Sequence, residues 1–297
     1  MAWRTICGVT LLALLVACGG KGPAAQRVIP AQLPEPERDA ARLLPFDGAH
    51  NFRELGGYRT ADGRSTRWGV LYRSDTLADL SEQDQLHLKL LGINSVVDLR
   101  SDDDRPPEPD RRTPDLTLRY VIDPVTVDGT AIEEISQRLR SGELEGVDFR
   151  AMLIEGNRRF VSDFGGAYAR FLRELAQADN LPLVFHCTGG KDRAGFAAAL
   201  ALLAVGVPRE TVIEDFLKTN TYTADRIERN LLILRVVSLF RTDPELARPL
   251  LGVEPAYIES ALDTIEREYG GLQAYLRDEL GIDDDTLSKL RENLLES

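Results

Sequence analysis

Between residues 181 and 205 an apolar run, a polar loop with two adjacent glycines and an alanine-rich stretch follow one another. The run Leu181–Phe185 predicts a short buried strand, and the stretch Phe196–Val205 predicts a buried helix. The ten residues between them, 186–195, read HCTGGKDRAG. A strand, a glycine loop and a helix start in this order predict an α/β fold, with the loop at the carboxyl end of a sheet strand.

The backbone of this loop predicts an anion site. Successive amides that face inwards bind an oxyanion, and a helix start adds about half a positive charge. The residues expected to bind phosphate or substrate through the loop are Thr188, Gly189, Gly190, Lys191, Ala194 and Gly195.

Cys187 stands at the start of the loop and is the predicted nucleophile. A helix N-terminus and nearby cations favour the thiolate form of a cysteine. A thiolate attacks phosphorus and forms a phosphocysteine, which water then hydrolyses. The alternative is a small buried apolar residue, since free cysteine is among the most buried residue types.

Arg193 follows the cysteine by six positions and is predicted to bind phosphate. Its planar guanidinium holds two phosphate oxygens at once, which lysine cannot do. A cysteine and an arginine at this spacing are a weak signal alone. The glycines between them, the strand before and the helix after make it specific.

An alkoxide or phenoxide leaving group needs a proton, usually from a carboxylic acid within hydrogen-bond reach. Asp192 lies in the loop beside the arginine and is the first choice for this general acid. Asp123, after the apparent strand Leu118–Ile122, and Asp128 are the alternatives.

Other polar residues are assigned supporting roles. His186 is expected to orient the loop by hydrogen bonding to backbone carbonyls, and Lys191 to select substrate. Arg53, Arg73 and Arg100 could converge on the pocket with the loop cations, or could be ordinary surface arginines. Three histidines and one usable thiol show no ligand spacing, so no metal and no cofactor are predicted.

Several blocks of the chain carry a family resemblance. Besides the loop they are NFRELGGY at 51–58, LYRS at 71–74, LGINSVVDLRS at 91–101, and the region 257–276. Together they resemble the atypical bacterial tyrosine and lipid phosphatases, a branch of the cysteine-based phosphatase superfamily, from roughly Pro45 to Leu295. The resemblance implies activity on phosphotyrosine, sometimes on phosphoserine and phosphothreonine, and often on phosphoinositides. Ala194 stands where many cysteine phosphatases have a hydroxyl residue that eases thiolate release.

The N-terminus predicts export. Arg4 precedes an apolar stretch, 6–17, that is too short to span a bilayer, as in a signal peptide. LVACG at 15–19 resembles a lipoprotein processing box, which makes Cys18 the predicted lipidation site. An ordinary signal peptide or a retained anchor is the alternative. We therefore expect an exported, membrane-anchored lipoprotein of the cell envelope, in the outer membrane where the cell has one.

The domain organisation follows from this. We predict a signal peptide at 1–17, a lipidated tether at 18–44 and one phosphatase domain at 45–297.

Predicted strands are Val70–Tyr72, Ser95–Leu99, Leu118–Ile122 and Leu183–Phe185. Predicted helices are Glu82–Leu91 capped by Ser81, Phe160–Ala178, and then Glu210–Thr219, Ala224–Phe240, Pro255–Tyr269 and Asp285–Leu294. The expected fold is a central, mostly parallel, cysteine-phosphatase-like sheet flanked by helices, with a helical C-terminal part. Glu133–Arg159 would be a helical lid or, equally, a surface helix pair.

The net charge of the chain argues against nucleic acid as a binding partner. At a formal charge of −12 the chain has no features of a nucleic-acid binder. The expected partners are a phosphorylated protein or phosphoinositide and, through the N-terminal lipid, a membrane. A non-hydrolytic phosphate- or inositol-phosphate-binding module and a rhodanese-like sulfur transferase are the competing hypotheses. The Lys-Asp-Arg run favours the phosphatase over the transferase.

Overall fold

A five-stranded sheet organises the domain. The computed structural model describes residues 27–112, 117–126, 137–138, 141 and 144–296. The strands are β1 (Arg53–Glu54), β2 (Leu71–Ser74), β3 (Ser95–Asp98), β4 (Arg119–Ile122) and β5 (Leu183–His186), and they lie in the order β1-β2-β5-β3-β4. Only β1 is antiparallel to its neighbour. The predicted α/β architecture with a mostly parallel sheet is confirmed.

Helices cover both faces of this sheet and make up most of the C-terminal part. They are α1 (Glu82–Leu90), α2 (Phe149–Ser162), α3 (Gly165–Leu175), α4 (Arg193–Ala204), α5 (Arg209–Tyr222), α6 (Ala224–Val237), α7 (Pro255–Glu268) and α8 (Asp284–Leu294). Helical turns lie at Glu35–Arg38, Arg248–Leu251 and Leu272–Ala274, 3-10 turns at Pro30–Gln32, Ala178–Asn180 and Pro244–Ala247, and a π-helical turn at Tyr275–Glu279.

Side chains alternate between two cores because successive strand residues point to opposite faces. Tyr72 and Val184 pack on the face covered by α1. Leu183 and Phe185 pack on the other face, against α3 and α4. Helix α4 is apolar almost all round and almost fully buried, as expected of a helix that packs on a sheet and is covered by other helices. It therefore holds the loop before it in a fixed place.

The predicted long helix Phe160–Ala178 is wrong. Two helices, α2 and α3, meet at Asp163 and Phe164 instead. Gly165 and Gly166 follow that junction, and glycine is the poorest helix former after proline, so the chain turns there at low cost. The predicted Ser81 cap is confirmed, because Ser81 and Asp84 form a reciprocal capping box at the start of α1.

The stretch 27–44, which was assigned to the tether, packs on the domain. Arg42 is 2 % exposed, and its guanidinium lies 4.1 Å from the Tyr58 ring centroid and 4.7 Å from that of Trp68. Leu44 is also 2 % exposed. Contacts with the domain therefore begin before residue 45, whereas the predicted signal peptide and Cys18 lie outside the described residues.

The predicted lid segment, Glu133–Arg159, is described only in part. Its C-terminal portion belongs to α2, which packs against α7, where the Ser260 hydroxyl donates to the carbonyl of Ile154 at 3.0 Å. Phe149 at the start of α2 is buried. This portion is a packed surface helix. Among the described residues, no helix combines the length and the hydropathy needed to cross a bilayer.

Glu54 in β1 gives the fold a pH dependence. Burial raises the pKa of Glu54 from 4.5 to about 8, despite the opposing charges of Arg42 and Arg38. Because the folded-state pKa lies above the unfolded-state value, the stability contribution of this group is full below about pH 4.5 and is lost as the pH rises to about 8. At about 1.4 kcal/mol per pKa unit, the loss is on the order of 5 kcal/mol.

Glu54→Gln is therefore expected to raise the free energy of unfolding above pH 7 and to flatten its decline between pH 5 and pH 8. Urea unfolding across this range measures both effects. Glu37→Gln, at an exposed carboxyl in the helical turn Glu35–Arg38, is the matched control. Equal pH slopes for wild type and Glu54→Gln would contradict the prediction.

Candidate active site

The carboxyl ends of three neighbouring strands define the site. His186, the last residue of β5, is in register with Ser74 of β2 and with Asp98 of β3. Cys187 follows at once, and Arg193 begins α4. The loop therefore lies at the carboxyl edge of the sheet, beside its central strand, where open α/β sheets bind ligands.

Cys187 is held inside the loop. Its side chain is 2 % exposed, and the Gly190 amide donates a hydrogen bond to Sγ at 3.2 Å. The amide of Phe196 bonds the carbonyl of Asp192, so the first helical turn starts here with its positive end towards the loop. The sulfur therefore lies between an amide donor and the start of a helix.

Buried side-chain donors bind two backbone carbonyls of the loop, which therefore point away from the inside of the loop. The Gly190 carbonyl accepts from Asn51 Nδ2 at 3.0 Å and from Arg73 Nη2 at 2.8 Å, and the Lys191 carbonyl accepts from the same Arg73 nitrogen at 3.3 Å. In a trans peptide the following N–H points opposite to the carbonyl. The amides of Lys191 and Asp192 are therefore turned to the inner side of the loop, as an anion site requires.

Only glycine fits at position 190. Its φ is +64°, and a Cβ there would lie 2.5 Å from the backbone nitrogen of Asp75 and 2.7 Å from the carbonyl carbon of Ser74. Gly195 has a different reason, since a Cβ would lie 2.6 Å from the Phe216 ring. Gly190 shapes the loop, and Gly195 allows α4 and α5 to pack closely.

Beneath the loop lies a buried cluster that we call the loop brace: Arg53, Arg73, Tyr58 and Asp215. The Asp215 carboxylate accepts from Arg53 Nε at 3.2 Å, Arg73 Nη1 at 3.0 Å and the Tyr58 hydroxyl at 2.7 Å. Burial raises the pKa of Asp215, but the two arginines outweigh burial and hold the pKa far below its usual range. Burial also lowers the pKa of Arg73 to about 10, so both partners are charged at neutral pH.

The loop arginine has a partner that the sequence analysis missed. Arg193 Nη1 lies 2.6 Å from Asp104 Oδ2, and Nη2 donates to the Thr188 hydroxyl at 3.1 Å. Burial raises the pKa of Asp104, but the charge of Arg193 more than compensates, so its pKa is lowered and the group is ionised. Asp104 thus binds one end of the guanidinium while the other end bonds the loop. In the sequence, only the acidic run at 102–104 after Arg100 could have indicated a carboxylate partner for Arg193.

Asp104→Asn is expected to lower kcat/KM at least about tenfold, because a hydrogen bond to a charged group contributes about 1.5–3 kcal/mol. Asp104→Glu should recover part of that loss, which a purely structural role would not predict. Steady-state kinetics and thermal unfolding on each variant check this, with the exposed Asp103→Asn as control. A rate that rises in Asp104→Asn would show instead that Asp104 competes with phosphate for Arg193.

The three candidate acids have different surroundings. Asp192 Oδ2 lies 2.8 Å from Lys191 Nζ, and its carboxylate does not cap α4. Asp123 is 2 % exposed and accepts from Arg170 Nε at 2.5 Å, so its carboxylate faces α3. Asp128 lies outside the described residues. Of the two described candidates, only Asp192 lies in the loop with the cysteine.

His186 bonds a carboxylate and not the backbone carbonyls that we expected. Its Nε2 lies 3.1 Å from Asp110 Oδ2 and 3.9 Å from Asp98 Oδ1. These three residues are close enough to share a cation. The Arg100 guanidinium, however, bonds both carboxylates, at 2.8 Å from Asp98 and 2.7 Å from Asp110, and supplies the balancing charge. Burial raises the pKa of Asp110, but His186 and Arg100 reverse the shift and lower it.

Neither alternative for Arg53, Arg73 and Arg100 is correct, because these arginines neither line the cleft nor lie at the surface. Arg53 and Arg73 lie in the loop brace, and Arg100 holds Asp98 and Asp110. All three are almost fully buried, where an unpaired charge is costly, so each is bound by a carboxylate. They support the loop from behind, and Lys191 and Arg193 are the cations of the loop itself.

A small cleft of about 120 Å³ runs from the loop to α6. Gly189 and Lys191 line its loop side, and Arg226, Ile227 and Asn230 line its α6 side. Arg226 pairs with Asp75, which also accepts the His50 amide at 2.9 Å. The cleft gives a substrate room beside the loop, and α6 forms one of its walls.

A cysteine in a glycine loop at a helix start, with an arginine at the sixth position after it, defines the site class of the cysteine-based phosphatases. Residues 44–296 match the model of the tyrosine phosphatase family. The chain belongs to this family, and it is a hydrolase with tyrosine phosphatase activity.

Two relatives that share about a third of their sequence with the chain agree with this assignment. The chain is 35 % identical over 240 residues to a Cupriavidus necator protein named as a tyrosine-protein phosphatase, covering 81 % of this chain and 85 % of the relative. It is 32 % identical over 284 residues to the triple specificity protein phosphatase PtpB of Mycobacterium tuberculosis, covering 86 % and 99 %. The crystal structure of P. aeruginosa TpbA is similar with a TM-score of 0.29 at 19 % identity, covering 63 % of this chain and 89 % of that one.

Proposed function

We propose that the protein hydrolyses phosphate monoesters through a phosphocysteine on Cys187. The observation that carries this is the Gly190 amide bonded to the Cys187 sulfur inside a loop that opens α4. The thiolate attacks phosphorus, the bond to the leaving oxygen breaks, and water then cleaves the S–P bond. Arg193 and the inward loop amides bind the non-bridging oxygens and stabilise their charge in both steps.

Asp192 is the proposed proton donor to the leaving oxygen. Its place in the loop and its carboxylate, which is not engaged as a helix cap, support this role. Asp192→Asn is expected to lower kcat by about 10²–10⁴ for a phosphoserine peptide, whose alkoxide leaves poorly. The loss should be much smaller for p-nitrophenyl phosphate, whose leaving group needs little proton assistance.

Asp123→Asn and Asp128→Asn, assayed on the same two substrates, are the controls for this prediction. Equal losses on both substrates in Asp192→Asn would contradict a proton-transfer role. A selective loss of phosphoserine hydrolysis in Asp123→Asn or Asp128→Asn would move that role to the residue replaced.

The proposed substrates extend beyond phosphotyrosine to phosphoserine, phosphothreonine and phosphoinositides. The name of the PtpB relative supports broad specificity, and Lys191 at the edge of the cleft adds a cation for a further phosphate. Phosphate release from phosphotyrosine and phosphoserine peptides and from mono- and polyphosphorylated phosphoinositides tests this. Release from none of them, with vanadate binding intact, would favour the non-hydrolytic binding module.

An envelope location through a lipid on Cys18 is the last part of the proposal. The short apolar segment at 6–17 and the LVACG sequence support it. Wild-type protein should incorporate labelled fatty acid and sediment with membranes, and Cys18→Ala should do neither. A Cys18→Ala variant that still incorporated the label would exclude this lipidation site.

A further inference from the structure

The end of α6 and the turn after it expose an unusual set of large apolar side chains. We call this set the apolar ridge: Leu232, Ile233, Val236, Val237, Leu239 and Phe240. Their side chains are between 51 % and 69 % exposed. Single exposed apolar residues are ordinary on a protein surface, but a contiguous group of this kind marks an interaction site.

The segment that carries the ridge has a charge opposite to that of the whole chain. Residues 229–241 contain Arg229, Arg235 and Arg241 and no carboxylate, in a chain of net charge −12. All three arginines are exposed, and Arg235 lies 5.6 Å from the ring centroid of Phe240. A helix with exposed apolar residues and a basic rim is typical of segments that lie in the interface of an anionic membrane.

The backbone of the turn displays the two tips of the ridge. Leu239 and Phe240 have φ angles of 53° and 60°, which bulky side chains rarely adopt. Both side chains are more than two-thirds exposed. Burial in this chain therefore does not stabilise the conformation; the Phe240 amide, which donates to the Arg235 carbonyl at 2.9 Å, holds the turn instead.

We propose that the apolar ridge docks on an anionic lipid bilayer. The basic rim favours this surface over a second copy of the chain, because a symmetric pair would bring the same arginines face to face. The ridge also continues from the cleft, since Asn230 lines the cleft and Ile233, three residues later on the same side of α6, belongs to the ridge. Docking would hold the cleft and the loop 186–195 beside the lipid headgroups, whether the substrate is a protein or a lipid.

Tryptophan reporters in the full-length protein test this docking. Phe240→Trp places an indole on the ridge, and Leu90→Trp places one at an exposed apolar position on α1 as the matched control. Both carry Trp3→Phe, and spectra are taken as differences from the Trp3→Phe parent. The vesicles are phosphatidylcholine with phosphatidylglycerol, or phosphatidylcholine alone, with brominated acyl chains as quencher.

With anionic vesicles, the emission of Phe240→Trp should shift to the blue and be quenched, while Leu90→Trp should change little. Replacing Arg229, Arg235 or Arg241 by Gln should reduce the ratio of docked to undocked protein about fivefold for each charge removed. Absence of quenching at position 240, or equal quenching of both reporters, would overturn the proposal. A blue shift without vesicles that grows with protein concentration would do so as well, because a second copy would then cover the ridge.

Discussion

Cys187→Ser is expected to abolish phosphate release, with a loss of about 10⁴-fold or more in kcat. The serine hydroxyl is close in size to the thiol but is not ionised at neutral pH, so the loop amides and Arg193 have no nucleophile to act with. The fold should be unaffected, because the side chain is small and the Gly190 amide can donate to oxygen as it does to sulfur. Phosphate release and phosphopeptide affinity, measured on the same preparation, check both parts.

Arg193→Lys is the companion variant. It retains the charge but loses the planar fork, so it should weaken phosphopeptide binding as well as turnover. Cys187→Ser should therefore bind without turning over, and Arg193→Lys should lose both. A serine variant that kept a substantial part of the wild-type rate would contradict the cysteine mechanism.

Asp215→Asn is expected to destabilise the fold strongly. Removing this carboxylate leaves Arg53 and Arg73 charged and buried without a counter-ion, which costs about 3–5 kcal/mol in comparable buried pairs. Activity should fall too, because Arg73 also holds the Gly190 and Lys191 carbonyls. Denaturant unfolding monitored by circular dichroism measures the first effect, and turnover below the unfolding transition measures the second.

Asp225→Asn, at an exposed carboxyl in α6, is the control for this charge change. Because the pKa of Asp215 is lowered on folding, its stabilisation is full above about pH 4 and is lost as the pH falls further. The difference in stability between wild type and Asp215→Asn should therefore shrink in acid. Equal unfolding free energies for Asp215→Asn and Asp225→Asn at pH 7 would contradict the loop brace.

Short sequence patterns were enough to locate four of the five described strands and the loop 186–195. The strands begin and end within one or two residues of the predicted bounds, except that the two-residue β1 was missed. Short apolar runs bounded by turn residues favour buried strands, and a longer all-apolar segment after a glycine loop favours an inner helix. The thiol, the glycines and Arg193 lie within a few residues of one another, so their proximity needed no tertiary information.

The residues that support the loop could not be found in this way. Asp215 meets Arg53 across 162 positions of the chain, and Asp104 meets Arg193 across 89. The chain has 48 acidic residues, and their order does not show which of them is buried beside which arginine. By itself the sequence determined the strand, the glycine loop and the place of Cys187 in it, because these depend on neighbouring residues and local backbone geometry. Only the tertiary structure decided which carboxylates hold the arginines, because a buried charge is stabilised by whatever partner the packing brings within a few ångströms.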